Sequence, residues 1–189
     1  MTGQETFGRI IPGRGIAATV SGRDGKDCPV STSDLRIALY RPDIAANFGA
    51  MLRLGACLGT DLEIIEPCGF PLDDRRIRRS GMDYRHHVRY RRHLDWDAFC
   101  GWLEAEGRRL VLLTRHAALR YHRVSYGPRD VLLVGQESSG VPETVRRRAD
   151  LAVAIPMRRP VRSLNLVTAV AMVLGEALRQ QGAFDDDAE

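Results

Sequence analysis

The chain has 189 residues, of which 44% are hydrophobic, and this suits one globular domain with a substantial core. It holds four widely separated cysteines that form no Cys-x-x-Cys motif, so we expect neither a disulfide scaffold nor a metal site. No apolar stretch reaches the roughly 20 residues of a membrane span, and no secretory signal opens the sequence. We therefore expect a cytoplasmic protein with no membrane partner.

The net charge is +4, and all of the 28 basic residues except Lys26 are arginine. A single lysine excludes a Walker phosphate loop, which requires the sequence Gly-Lys-Ser/Thr. It also argues against a Schiff-base enzyme, because Lys26 lies in a glycine-rich segment. A GC-rich genome would explain the preference for arginine, but it would not explain why the arginines cluster.

The chain divides into three parts by composition. Residues 1–33 contain six glycines and no sustained apolar period, so we interpret them as a poorly ordered extension. Residues 34–183 carry the apolar patterns of a single domain, and residues 184–189 form an acidic tail.

Short apolar runs alternate with helical patterns inside this domain. Strands are predicted at Leu35–Tyr40, Leu62–Ile65, Val88–Tyr90, Leu110–Leu113, Val131–Val134 and Leu151–Ile155. Helices are predicted at Ala46–Leu58, Asp73–Ser80, Trp96–Gly107 and Leu164–Leu178. Such alternation predicts an α/β fold in which a parallel sheet is flanked by helices.

Three clusters of polar and small residues follow predicted strands. They are N-F-G-A-M-L-R at Asn47–Arg53, G-Q-E-S-S-G-V-P at Gly135–Pro142, and I-P-M at Ile155–Met157 together with R-S-L-N at Arg162–Asn165. Small residues let a backbone approach a ligand closely, while the amide, guanidinium, carboxylate and hydroxyl groups supply hydrogen bonds. Because ligands of parallel α/β sheets bind at the carboxyl ends of the strands, the clusters together predict one nucleotide-type site.

The stretch Arg75–His93, which we call the basic strip, holds eight arginines, three histidines and two tyrosines, with Asp83 as its one acid. Guanidinium groups match phosphate oxygens and tyrosine rings stack on exposed bases, so we interpret the strip as an RNA contact. A solvated charged face is the alternative. The RNA-binding candidates are Arg75, Arg76, Arg78 and Arg79.

The order and spacing of the three clusters resemble the three motifs of the SpoU/TrmH-type methyltransferases of the SPOUT superfamily. The stretch I-I-E-P-C-G-F-P-L-D-D-R-R-I-R-R-S-G-M-D-Y at Ile64–Tyr84 is similar to the TrmL-like subgroup, which methylates the ribose 2′-OH of the wobble cytidine or uridine, position 34 of tRNA. The resemblance covers about Leu35 to Gln181. It implies a SPOUT-type α/β fold with a C-terminal trefoil knot, S-adenosylmethionine as cofactor, and tRNA as partner.

The same resemblance implies which residues hold the cofactor. By matching position, these are Leu113, Gly135, Ile155 and Ser163. A glycine at 135 leaves room for a close backbone approach, and the two aliphatic side chains offer apolar walls for the adenine ring.

The resemblance also implies a catalytic set, with Arg53 acting on the substrate hydroxyl. Because arginine stays protonated in proteins, we expect Arg53 to hold the substrate phosphate and to stabilise the developing alkoxide rather than to act as a base. We expect Asn47 to orient the ribose, Glu137 to order Arg53 through a hydrogen bond, and Asn165 to bridge cofactor and loop.

The predicted helix at Leu164–Leu178 is apolar on nearly every face, which is more than packing on one side of a sheet requires. A helix buried within a single subunit would also explain this pattern. The family resemblance implies a homodimer built from this helix and the Asn47–Leu58 helix. The basic strip of one subunit could then reach the site of the other.

Other functions stay open at this point. A methyltransferase of the same fold could act on another tRNA or ribosomal RNA nucleotide, and the Ile64–Tyr84 stretch alone favours the wobble position. A non-catalytic RNA-binding module is disfavoured, because phosphate binding would need only the basic strip and not the three polar clusters. A nicotinamide-dependent dehydrogenase is disfavoured by the lack of a Gly-x-Gly-x-x-Gly sequence after the first strand.

Overall fold

The computed structural model describes residues 33–72, 88–161 and 163–184. The strands are β1 Arg36–Tyr40, β2 Asp61–Ile65, β3 Tyr90–His93, β4 Arg109–Leu113, β5 Leu119–Arg120, β6 Asp130–Val134 and β7 Leu151–Ala154. The α-helices are α1 Ala45–Cys57, α2 Trp96–Ala105, α3 Glu143–Arg148 and α4 Leu166–Gln180, with a 3-10 helix at Tyr121–Arg123. The predicted helix at Asp73–Ser80 lies outside the described residues, as do residues 1–32 and 185–189.

The seven strands form one sheet in the order β3-β2-β1-β6-β4-β7-β5. Every strand pairing in this sheet is parallel. All strands therefore end at the same edge, and the loops that follow them meet there. This confirms the predicted α/β class with a parallel sheet flanked by helices.

The side chains of each strand alternate between two buried cores. In β1, Ile37 and Leu39 pack with α1 and α4, whereas Ala38 and Tyr40 pack with α2 and α3. Both faces of the sheet are covered, which explains why the strands are continuous apolar runs rather than alternating patterns. Within the described ranges, no helix combines the length and apolarity that crossing a bilayer requires.

The predicted strands agree with the observed ones to within about a residue, except at the edges of the sheet. We expected the strand before α2 at Val88–Tyr90, but β3 begins at Tyr90 because that residue pairs with Leu62. β5 was not predicted, because it is two exposed residues long. The six-residue α3 was missed as well, since Val145 is its one buried residue.

Helix α4 begins two residues later than predicted and buries one face. Its first turn starts at Leu166 because the side chain of Asn165 accepts hydrogen bonds from the backbone of the next turn. The buried positions follow the spacing of a helical stripe: Val170, Val173, Leu174, Ala177 and Leu178. Met172, on another side of the helix, is 39% exposed. Intramolecular packing thus accounts for part of the apolar pattern of this helix.

Candidate functional site

A cavity of about 620 Å³ lies at the carboxyl ends of β4, β6 and β7. Its walls come from the loops that follow these three strands and from the starts of α1 and α4. Seven of the residues predicted from the sequence line it: Asn47, Leu113, Gly135, Glu137, Ile155, Ser163 and Asn165. The three polar clusters, which are separate in the chain, therefore contribute to one site.

The loop after β6 closes on itself through its backbone. The N–H of Gln136 donates to the carbonyl of Gly140 over 2.9 Å, and the N–H of Gly140 donates back over 2.8 Å. A Cβ atom placed on Gly135 would lie 2.4 Å from the carbonyl carbon of Gly140. We expected the missing side chain of Gly135 to leave room for a ligand, but the contact that requires glycine is with the loop's own backbone.

Three side chains join the polar clusters to one another. The Nδ2 of Asn47 donates to Glu137 Oε1 over 3.1 Å, and the Nδ2 of Asn165 donates to Asn47 Oδ1 over 3.2 Å. The Oδ1 of Asn165 accepts from the backbone N–H groups of Val167 and Thr168 and so caps α4. The start of α1, the loop after β6 and the start of α4 thus share one hydrogen-bond network.

Asp43 belongs to this network and was not among the predicted site residues. Its N–H donates to Glu137 Oε2 over 3.3 Å, and its Oδ1 accepts from the Glu137 N–H over 3.1 Å. Its Oδ2 accepts from the N–H and the hydroxyl of Ser138. Arg41, with φ of 49°, turns the chain sharply after β1 and directs this segment toward the loop. The signal in the sequence was an aspartate that directly follows Pro42 at the end of the first predicted strand.

The two carboxyl groups of this network have different proton affinities. Hydrogen bonds with the side chains of Glu137 and Ser138 lower the pKa of Asp43 to about 2. Burial, followed by the hydrogen bond with Asp43, raises the pKa of Glu137. Asp43 is therefore the ionised anchor of the loop, and Glu137 is the member that more readily holds a proton.

Arg53 lies apart from the cavity lining. It is an exposed residue of α1 and is six positions beyond Asn47, which corresponds to about 1.7 turns, so the two residues face different directions. The carboxylate of Glu137 accepts hydrogen bonds from the Asn47 side chain and from the Asp43 backbone, and the predicted ordering of Arg53 by Glu137 stays a prediction. In the observed geometry, Glu137 orders the start of α1, and Arg53 is not among the described residues that line the cavity.

The described end of the basic strip contacts acidic and aromatic groups of the protein itself. Arg89 Nε lies 3.2 Å from Asp61 Oδ2, and Arg92 Nε lies 2.7 Å from Glu66 Oε1. Arg91 lies over the ring of Trp102, and buried His93 contacts Glu63. These residues attach β3 to β2 and α2. The RNA-binding candidates Arg75, Arg76, Arg78 and Arg79 lie outside the described residues.

Residues 34–175 match the model of the SpoU rRNA methylase family. The chain belongs to this family. A curated relative from Beijerinckia indica, a tRNA (cytidine(34)-2′-O)-methyltransferase, is 56% identical over 148 residues, which cover 78% of this chain and 92% of the relative.

Two solved structures show the same fold. One, described as giving structural insights into the 2-OH methylation of C/U34 on tRNA, has a TM-score of 0.74 and 38% identity and covers 79% of this chain and 97% of its own. The other is the SpoU methyltransferase AviRb from Streptomyces viridochromogenes in complex with AdoMet. It has a TM-score of 0.72 and 25% identity and covers 80% of this SpoU-family chain and 62% of its own.

The cavity of this SpoU-family protein fits S-adenosylmethionine. Its volume of about 620 Å³ falls within the range of about 300–1,000 Å³ of small-molecule sites. Half-buried Leu113 and Ile155 give apolar walls for a flat ring, and the lining also includes the polar side chains of Ser163 and Asn165. Among the residues that the structure describes, no group of three or more His, Cys, Asp or Glu side chains is placed to hold a metal ion.

Proposed function

We propose that this protein is an S-adenosylmethionine-dependent methyltransferase that modifies the ribose 2′-OH of nucleotide 34, the wobble position, of tRNA. The observation that carries the proposal is the convergence of residues from three separate clusters on one cavity at the carboxyl edge of the sheet. The choice of nucleotide 34 is supported by the relative that is 56% identical and by the solved structure concerned with C/U34.

The reaction requires the protein to align the two reactants rather than to form a covalent bond with either of them. When bound, S-adenosylmethionine supplies an electrophilic sulfonium methyl group for in-line attack by the ribose 2′-oxygen. The hydrogen bonds among Asn47, Glu137 and Asn165 fix the rim of the cavity at which this attack takes place. Leu113 and Ile155 line the cavity with apolar side chains that exclude water from a bound cofactor.

We assign Arg53 the binding of the substrate phosphate and the stabilisation of negative charge on the 2′-oxygen. A guanidinium group stays protonated, so the hydroxyl proton passes to a phosphate oxygen or to water rather than to Arg53. The cofactor-binding set is Leu113, Gly135, Ile155 and Ser163. Gly135 contributes by allowing the loop after β6 to close.

We further propose that the protein works as a homodimer through the outer faces of α1 and α4. These helices pack side by side, and the exposed apolar side chains near α4 include Val161, Leu164 and Met172. Ala46 and Ala50 on α1 are also exposed, so a second copy can approach its backbone closely. Arg53 is exposed and does not line the cavity of its own subunit. The dimer would bring it near the mouth of the partner subunit's cavity.

The remaining features follow the family resemblance. We propose that the C-terminal segment forms a trefoil knot, supported by the position of β6 between β1 and β4 and by the return of α4 onto α1. Residues 34–183 would then act as one methyltransferase domain, with residues 1–33 and 184–189 as appendages. Because tRNA is the substrate, we expect the enzyme to work in the cytoplasm.

The direct test is a map of ribose methylation in total RNA from a strain that lacks the gene. We expect loss of the methyl group at nucleotide 34 of one or more tRNAs, and its return when the wild-type gene is supplied. Loss at another tRNA or ribosomal RNA position would favour the alternative substrate. An unchanged map, together with no binding of S-adenosylmethionine by calorimetry, would leave an RNA-binding module as the better function.

A further inference from the structure

A second group of arginines lies at the edge of the sheet opposite β3. We call it the β5 surface and define it by Arg120, Arg123, Arg158 and Arg159, all of which are exposed. Arg120 pairs in register with Ala154 of β7, and the chain then enters the 3-10 helix that contains Arg123. Arg158 and Arg159 follow β7 by a few residues. Since β5 and β7 are parallel, both segments leave the sheet at the edge where the cavity lies.

The β5 surface carries positive charge that no acid among the described residues pairs with. Segments 114–123 and 155–161 contain no aspartate or glutamate. Its four arginines form no ion pair with any residue that the structure describes. Glu176 on α4 interacts electrostatically with His122, which precedes Arg123. The carboxylate of Glu176 is itself paired with Arg179 over 2.9 Å.

Two arginines at the opposite edge of the sheet, by contrast, are paired with acids. There, Arg89 and Arg92 are held by Asp61 and Glu66, so their charge serves the packing of β3. Guanidinium groups that are exposed and lack acidic neighbours match the phosphate oxygens of a nucleic acid backbone. The arginines of the β5 surface are therefore better placed for an RNA partner than those described in the basic strip.

The β5 surface is continuous with the proposed catalytic cavity. Met157 lines the cavity and is adjacent in sequence to Arg158, while Arg115 and His116 line it on the side that leads to β5. Six strand spacings separate β3 from β5, a distance of roughly 29 Å at about 4.8 Å per spacing. RNA that lies over the carboxyl ends of β7 and β5 would contact both the cavity and this surface.

We propose that the β5 surface binds the sugar–phosphate backbone of the RNA substrate and holds it beside the cavity. This inference rests on the proposed RNA methyltransferase function and adds to it the surface that positions the RNA. Binding to phosphate releases counterions from the RNA. Removal of one arginine that contacts a phosphate should therefore reduce the slope of log K against log[salt] by about one.

The test compares two double variants of the full chain that each remove two positive charges. Arg123→Ala with Arg159→Ala changes the β5 surface. Arg129→Ala with Arg147→Ala is the control, because Arg129 lies near Glu106 and Arg147 near Glu143, so both already have acidic neighbours. The affinity for unmodified tRNA is measured over a series of NaCl concentrations, and that for S-adenosylmethionine is measured by calorimetry.

We expect the β5 variant to bind tRNA at least tenfold more weakly at low salt. The slope of log K against log[salt] should fall by about two, with unchanged cofactor affinity. The control should keep a slope close to that of the wild type. Equal slopes for all three proteins would overturn the inference, and so would a β5 variant that becomes monomeric in light scattering, since the surface would then be a subunit contact.

The proposed methylation of nucleotide 34 can be wrong independently of the proposed role of the β5 surface. If the wild-type protein leaves nucleotide 34 unmethylated but the β5 variant still loses RNA affinity and slope, the surface is supported and the proposed position is wrong. If nucleotide 34 is methylated and the slopes are equal, the β5 surface alone is wrong.

Discussion

Asn47 and Asn165 lie 118 positions apart in the chain, and the Nδ2 of Asn165 donates a hydrogen bond of 3.2 Å to the Oδ1 of Asn47. Each of the two residues also has a second partner. Asn47 donates to Glu137 in the loop after β6, and Asn165 caps α4. The shape of the proposed site therefore depends on a contact between two helix starts that are remote in sequence.

The two roles of Asn165 can be separated by substitution. Asn165→Ala removes the helix cap and should lower the free energy of unfolding by about 1 kcal/mol. Asn165→Asp keeps an oxygen that caps α4 but loses the N–H donor to Asn47, so its stability should stay near that of the wild type while methyl transfer falls. Denaturant unfolding and single-turnover methylation of tRNA provide the two readouts. Wild-type turnover by Asn165→Asp would show that the bond to Asn47 is unimportant.

Asp43 should anchor the loop after β6 in its ionised form. Asp43→Ala removes the acceptor for Glu137 and Ser138, so we expect S-adenosylmethionine to bind about tenfold more weakly, the scale of one hydrogen bond to a charged group. Asp43→Asn keeps one acceptor oxygen and should lose less.

The pH dependence of this anchor has a definite sign. The folded-state pKa of Asp43, about 2, lies below its ordinary value of 3.8, so ionised Asp43 stabilises the fold. The difference in stability between wild type and Asp43→Ala should be full above about pH 4–5 and should shrink as the pH falls toward 2. A difference that grows on acidification, in unfolding curves recorded at several pH values, would contradict this role.

Gly135 should tolerate no side chain because of the loop's own backbone. Gly135→Ala places a Cβ 2.4 Å from the Gly140 carbonyl carbon, so the loop must open and cofactor affinity should fall strongly. Gly101→Ala in α2 is the matched control, because a Cβ there meets nothing within 4 Å. That change should raise the free energy of unfolding by about 0.5–1 kcal/mol, since alanine favours a helix over glycine. Calorimetry with S-adenosylmethionine on both variants checks the contrast.

Arg53 should act on turnover and not on cofactor binding. It is not among the described residues that line the cavity, so Arg53→Ala should keep the affinity for S-adenosylmethionine within about twofold. Methyl transfer should drop by roughly two to three decades, the usual scale for losing one electrostatic stabiliser. Arg53→Lys should not restore it, because an ammonium group cannot reproduce the planar fork of a guanidinium group. Rapid methylation by Arg53→Ala would overturn the role assigned to this residue.

The proposed dimer predicts a different response at two exposed apolar positions. Met172→Glu places a charge on the outer face of α4, where Met172 is 39% exposed, and should give a monomer with little methyl transfer. Leu94→Glu, at a position that is 59% exposed between β3 and α2, should leave mass and activity unchanged. Light scattering over a range of protein concentrations measures the mass. A wild-type monomer that is fully active would rule out the dimer.

Part of this architecture is readable from local patterns. Continuous apolar runs such as Val131–Val134 predict strands that are buried on both faces, and the structure covers both sides of β6. Strands at the edges of the sheet cannot be predicted in this way. β5 has two exposed residues, and β3 is rich in arginine and histidine, so neither carries the apolar signal on which strand prediction depends.

Local patterns in the chain predict the class of the fold and the position of the three polar clusters after strands, because both depend on the period of the apolar residues and on local backbone and side-chain requirements. The tertiary structure decided which groups touch. Glu137 contacts Asn47 and Asp43, and Gly135 packs against the backbone of Gly140. The contacts of Glu137 depend on the strand order, which brings segments 90 or more residues apart to one edge of the sheet and which no local pattern encodes.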